Sequence, residues 1–207
     1  MVARKLLSAH GGSSAGLLVL GLGNPGPEFE HTRHNVGADT VMLLAARSGE
    51  RFRVIRGAHA RAAEVRINGV RAVLAFPMTY MNDSGIAAQA LVKRYGIEDL
   101  EHLVVVHDEL DLPVGRVKVK VGGGTAGHNG LKSLHAHLHD NGYVRVRIGI
   151  GKPPGQRSGA DHVLRRPGAA QRELLGAAVE TAADAVEMIA TAGVADAMNR
   201  FNSEPEP

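Results

Sequence analysis

The chain has 207 residues, 44% of them apolar and 22% charged, which suits one sizeable soluble domain with an ordinary core. It has no cysteine, which excludes disulfides, thiolate metal sites and cysteine nucleophiles. A net charge of +3 with pI near 9.4 is compatible with a polyanionic partner without demanding one. Aromatics at 3%, with no Trp, argue against a single-strand reader built on stacking platforms.

No apolar run is long enough to span a membrane, so no membrane partner is expected. Met1 to Gly16 is basic and free of acids, with a two-leucine apolar stretch too weak for a secretory signal. It reads as a disordered N-terminal extension, 1–16, of a cytoplasmic protein. Gly12-Ser13-Ser14-Ala15-Gly16 spells the hydrolase elbow G-x-S-x-G, but it precedes the first strand, so a flexible linker is the better reading.

Leu17 to Leu20 predicts a buried strand that runs into Gly21-Leu22-Gly23-Asn24-Pro25-Gly26. The glycines permit a tight turn, and Pro25 biases Asn24 away from helix. Gly21, Gly23 and Gly26 match the dinucleotide fingerprint, yet that motif needs a helix opening on the glycines and an acid after the next strand. Here the helical pattern, Val36 to Arg47, begins only after Thr32-Arg33-His34-Asn35. A glycine turn without a ligand is the bland alternative.

Ala62 to Ile67 and Val70 to Phe76 flank Asn68-Gly69, a hairpin signal. Ser84 to Tyr95 reads as a helix capped by Asp83 or Ser84 and stopped by Gly96. Leu103 to His107 is an apolar strand ending in Asp108. Arg116 to Val121 and Val144 to Ile150 alternate basic with apolar residues, as half-buried strands do. Between them, Gly127 to His139 predicts a loop running into a helix. A Pro/Gly-rich loop over 152–159, a helix over Ala169 to Ala190 and another over Val194 to Phe201 complete the pattern. The expectation is a single α/β domain over 17–202, a mixed central sheet flanked by helices, with a disordered tail over 203–207.

Polar clusters fall at strand ends, where open α/β sheets bind ligands. Asn24 stands on the turn that ends the first strand, and His34 ten residues further on, near the start of a helix. Asn82, after Phe76-Pro77-Met78-Thr79-Tyr80-Met81, is either a helix-start residue or a ligand. His107-Asp108-Glu109-Leu110-Asp111 places acids at another strand end, where an Asp serves as turn residue or as catalyst. Gly122-Gly123-Gly124 precedes Gly127-His128-Asn129-Gly130. It resembles a P-loop, but Leu131 separates Gly130 from Lys132 and breaks the Walker spacing. His135 and His139 have the spacing of a zinc helix without a Glu between them, and surface histidines are the commoner reading. Arg116, Lys118 and Lys120 share a strand face by alternation, either solvated or phosphate-binding.

The ordered set GLGNPG, TRHN, MTYMN, HDELDLP, GGG with GHNG, and RIGIG closely resembles bacterial peptidyl-tRNA hydrolase, from about Leu18 to about Phe201. The resemblance implies a monomeric cytoplasmic α/β enzyme that hydrolyses the ester joining a peptide to the 3′ ribose of tRNA. It implies His34 as catalytic histidine and Asp108 as its partner, with no cofactor and no metal. Asn24, Met81, Asn82 and Asn129 match positions that hold the peptidyl moiety. Lys120 and Arg147 match positions for the tRNA 5′ phosphate end, and the glycine loop matches a gate. Arg157 is the stand-in for a further family lysine near 155–158. The rival from another class is a non-catalytic RNA-binding protein of the same fold.

Overall fold

The computed structural model describes residues 15–153, 155 and 158–203. The proposed Arg157 contact, the G-x-S-x-G serine and most of the expected extension and tail lie outside them. Among the described residues seven strands form one sheet: β1 (Leu17–Gly21), β2 (Arg53–Ile55), β3 (Ala60–Ile67), β4 (Val70–Pro77), β5 (Leu103–Glu109), β6 (Val117–Val121) and β7 (Val144–Gly149), ordered β2-β3-β4-β1-β5-β7-β6. The central β4, β1, β5 and β7 are parallel and apolar, and β5 is buried along its whole length. The antiparallel β2–β3 and β6 complete the two edges.

Among the described residues six α-helices cover the sheet: α1 (Val36–Arg47), α2 (Ser84–Tyr95), α3 (Asn129–Leu138), α4 (Gly159–Val163), α5 (Ala169–Ala192) and α6 (Val194–Asn202). One core lies between the sheet and α1, α5 and α6; the other lies under α2 and α3. The two faces divide β5 by alternation, with Val104 and Val106 in the first core and Leu103 and Val105 in the second.

The predicted elements are present with small shifts. Asn68 and Gly69 both have positive φ, as a two-residue hairpin turn of mirror-image type requires. The short β2 and α4 carry too few apolar residues to show as periodic segments. The expected cap of α2 is absent: Asp83 makes no capping bond, and Ser84 Oγ donates to the Met81 carbonyl instead. Ala15, inside the expected extension, is buried and its N–H donates to the Tyr95 carbonyl. Arg116 does not share the lysine face. It is buried before β6 begins, and its guanidinium donates to the Asn202 carbonyl. Asn202 also bonds both backbone groups of Val119, covering part of the open β6 edge.

Candidate active site

β1 and β5 are neighbours, and the chain leaves β1 and β4 toward opposite faces of the sheet. A crevice therefore opens at their carboxyl ends. The first turn of α1 sits directly on this junction. A Cβ on Gly37 would lie 2.2 Å from the Val106 carbonyl oxygen, so only glycine allows the approach. That contact brings His34, just before α1, over the end of β5.

His34 Nδ1 donates to Asp108 Oδ1 at 2.8 Å, and His128 Nε2 donates to the same oxygen at 3.0 Å. His128 also caps α3: its Nδ1 accepts the N–H groups of Gly130 and Leu131. That cap assigns the proton of His128 to Nε2. His107 Nδ1 donates to the Asp108 carbonyl at 2.7 Å, and its ring lies 5.1 Å from that of His128. Burial, reinforced by His128, lowers the His107 pKa to about 3, so it stays neutral in the core. Burial alone would raise the Asp108 carboxyl. His34 and His128 outweigh it and hold the group well below the usual carboxylate range.

His34, Asp108 and His128 bring three possible metal-ligand atoms within 4.8 Å of one another. Their protons already join them as donors to one carboxylate oxygen. A metal on His128 Nε2 would move its proton to Nδ1 and break the cap of α3. The three therefore make a hydrogen-bonded unit. The zinc-helix spacing finds no support either: His135 faces the Arg145 guanidinium, His137 bonds the Ser133 carbonyl, and His139 ends α3 with positive φ.

The amides sit around this unit. Asn24 Oδ1 accepts the Met81 N–H at 2.8 Å, and its Nδ2 makes no hydrogen bond among the described residues. The side chain of Asn35 accepts from the Asn24 N–H and donates to its carbonyl. Met81 is buried, with Sδ where a Cβ on Gly130 would fall, so it packs under the start of α3. Asn82 and Asn129 are exposed at the starts of their helices and make no side-chain hydrogen bond among the described residues. Asn129 lines a cleft of about 210 Å³ with His34, Asp108, His128, Ala160 and Val163. A larger groove, about 860 Å³, lies between α1 and α5 around Val36, Met42 and Leu175. Chemistry concentrates in the smaller cleft, where three titratable side chains converge within hydrogen-bond reach.

The basic residues divide. Lys120 is exposed on β6, with Nζ against Gly123. Arg147 does not face solvent freely as the alternation predicts. It is half-buried, and its guanidinium donates to the buried Glu109 carboxylate at 3.1 and 3.2 Å. The buried Arg145 bonds the carbonyls of Gly123 and Gly124, anchoring one end of the glycine loop. Sequence reasoning missed His128, Asn35 and Glu109 as site residues. His128 and Asn35 stand inside the GHNG and TRHN motifs, but their partners come from elsewhere in the fold.

A family model described as Peptidyl-tRNA hydrolase matches residues 18–207. The Peptidyl-tRNA hydrolase of Cutibacterium acnes is 50% identical over 196 residues, covering 90% of this chain and 98% of that protein. That of Frankia alni is 48% identical over 186 residues, covering 90% and 93%. Among solved structures, peptidyl-tRNA hydrolase from Acinetobacter baumannii superposes with a TM-score of 0.86 at 36% identity, covering 93% of this chain and 98% of that one.

Proposed function

The chain belongs to the peptidyl-tRNA hydrolase family, and from that premise we propose that it hydrolyses the ester between peptide and tRNA with His34 as general base. The observation that carries this reading is the 2.8 Å bond from His34 Nδ1 to Asp108. It fixes the tautomer, so Nε2 is the basic nitrogen. Nε2 takes a proton from water as the water oxygen attacks the ester carbonyl. Asp108, held ionised, stabilises the imidazolium that forms. The free Nδ2 of Asn24 donates to the oxygen that gains charge. The tetrahedral species then collapses, and the imidazolium returns its proton to the departing 3′ oxygen. The products are a free carboxylic acid on the peptide and a tRNA with its hydroxyl restored.

An ester is activated enough for direct attack by water, so the scheme needs no covalent intermediate, metal or cofactor. Asn82 and Asn129, with Met81 beneath, pair with the main chain of the peptide. A plain aminoacyl group lacks that amide and would leave them unpaired, which is how the site tells the two apart. Lys120 takes the tRNA 5′ phosphate end, and Arg147, through Glu109, borders the same contact. The enzyme works as a cytoplasmic monomer. Among the described residues no helix is long and apolar enough to cross a membrane.

The test is purified protein on N-acyl-aminoacyl-tRNA beside unblocked aminoacyl-tRNA, each with and without excess chelator. Release from the blocked substrate alone, unchanged by chelator, is expected. Binding of tRNA without release would favour the non-catalytic RNA-binding alternative.

A further inference from the structure

Residues 51–71 hold six of the 24 basic residues of the chain but one of its 21 acids, Glu64. The net charge of +3 is therefore supplied by this segment, and the remainder is net acidic. Arg51, Arg53, Arg56, Arg61, Arg66 and Arg71 are all exposed on the β2–β3–β4 edge of the sheet. Among the described residues none of them forms an ion pair; Arg66 donates only to the Gly69 carbonyl. Several arginines elsewhere are committed: Arg33, Arg47, Arg147 and Arg166 each bond an acid, an amide or a carbonyl.

The edge arginines are also placed at a cost. Arg66 and Arg71 lie directly opposite each other in the β3–β4 ladder. Like charges in that position destabilise an antiparallel pair. β2 covers only Ala60 to Ala62, so Arg66 lies on the open edge of β3; blunting that edge accounts for Arg66 but not for a second like charge opposite it on β4. The register sets Arg53 opposite Ala62, on the face of Arg66, and Arg61 opposite Val54 on the other face. Cations thus border both faces of the projecting edge. A lipid surface would engage a single plane. The two phosphate ranks beside a groove of duplex RNA match a two-sided edge, and guanidinium groups pair with phosphates in two-point contacts.

We infer that the β2–β3–β4 edge is a second RNA-binding surface, holding the backbone of a structured RNA other than the bound substrate. The inference rests on the peptidyl-tRNA reading only for where the substrate lies. With the ester at His34, beyond β1 and β5, and the 5′ phosphate at Lys120 on β6, the acceptor stem leaves past β6. Six strand spacings separate β6 from β2, roughly 29 Å, on the far side of the crevice. One stem does not run both ways, so an RNA at β2 is a separate segment.

The test uses a fluorescent RNA hairpin of about 16 base pairs with a blocked 3′ end. Arg53→Glu, Arg56→Glu and Arg61→Glu together should weaken hairpin binding at least about tenfold. They should also flatten its log–log salt dependence by about 0.7–0.9 for each phosphate no longer neutralised. KM and kcat for peptidyl-tRNA should stay as they were. Arg71→Glu alone replaces a repulsive pair with an attractive one. It should weaken the hairpin while raising the melting temperature by about 2 °C. Lys120→Glu should raise KM for peptidyl-tRNA and spare the hairpin. Unchanged hairpin affinity in both arginine variants would overturn the inference. A parallel rise of KM would overturn it too, by assigning these arginines to the substrate itself. Charge-dependent binding to anionic phospholipid vesicles without hairpin binding would replace RNA with a membrane. Absence of any hydrolysis with the hairpin result intact would sink the catalytic reading and leave this one standing.

Discussion

The side-chain amide of Asn35 closes a ring of two hydrogen bonds with the backbone of Asn24, at 2.9 and 3.0 Å. Asn24 then spends its own amide oxygen on the Met81 N–H, so its Nδ2 has a fixed direction. Asn35→Ala should lower kcat/KM roughly tenfold or more through loss of that direction, since small misplacements are costly in a preorganised site. The loss should vanish in an Asn24→Ala background, because the two residues act as one unit. Additive losses in that double-mutant cycle would show that Asn35 supports the fold and not Asn24.

His34→Ala should leave folding and tRNA binding nearly intact while hydrolysis falls by roughly 10²–10⁴. Asp108→Asn should slow hydrolysis less. Both histidines converge on one oxygen, and an amide oxygen can still accept them, although the charge that stabilises the imidazolium is gone. Single-turnover rates on saturating peptidyl-tRNA rank the two variants. An Asp108→Asn enzyme slower than His34→Ala would give Asp108 more than an orienting and stabilising role.

His128 does two jobs that separate cleanly. His128→Ala removes the cap of α3, worth about 1 kcal/mol, and one donor to Asp108. His128→Asn restores a capping oxygen but does not reach Asp108 with a charge-assisted bond. Denaturant melts should therefore recover with Asn, while activity stays roughly tenfold down in both variants. Recovery of activity along with stability would mean that His128 matters only as a cap.

Asp39, in the first turn of α1, has its pKa raised to about 6, by burial first, with His31 opposing at 3.8 Å and Glu30 adding to the rise. The folded value exceeds the unfolded one. The group's contribution is thus fully present below pH 3.8 and is lost as pH rises through about 6. Asp39→Asn should gain about 1–3 kcal/mol at pH 8, reduced by the lost helix-dipole interaction, and about nothing at pH 4. Urea unfolding at the two pH values reads this directly. An equal change at both would refute the burial account.

Lys120 and Arg147 should part company. Lys120→Ala should raise KM for peptidyl-tRNA and lower its salt dependence by about one log–log unit, with no change in melting temperature. Arg147→Ala strands the buried Glu109 carboxylate and should cost about 2–3 kcal/mol of stability as well. Arg147→Ala with Glu109→Gln should recover most of that stability and keep the raised KM. A double variant with normal KM would remove Arg147 from the tRNA contact.

The sequence by itself determined the elements and the chemistry on offer. The alternation of β6 and β7, the Asn68-Gly69 turn and the Gly96 stop follow from local backbone and side-chain preferences, which act within a few residues. The motif order was also enough to indicate the family. What the tertiary structure alone decided is which polar groups meet. Asp108 lies 74 residues from His34 and 20 from His128 in sequence, and no periodicity specifies that both donate to one oxygen. Their meeting depends on the strand order that sets β5 beside β1 and on the backbone approach at Gly37. The same holds for Arg147. Alternation places it on a strand face, but the pairing of β7 with β5 brings Glu109 to it and turns an expected free cation into half of an ion pair. Local propensity is short-range, whereas hydrogen bonds and ion pairs depend on distances of a few ångströms that only the packed chain sets.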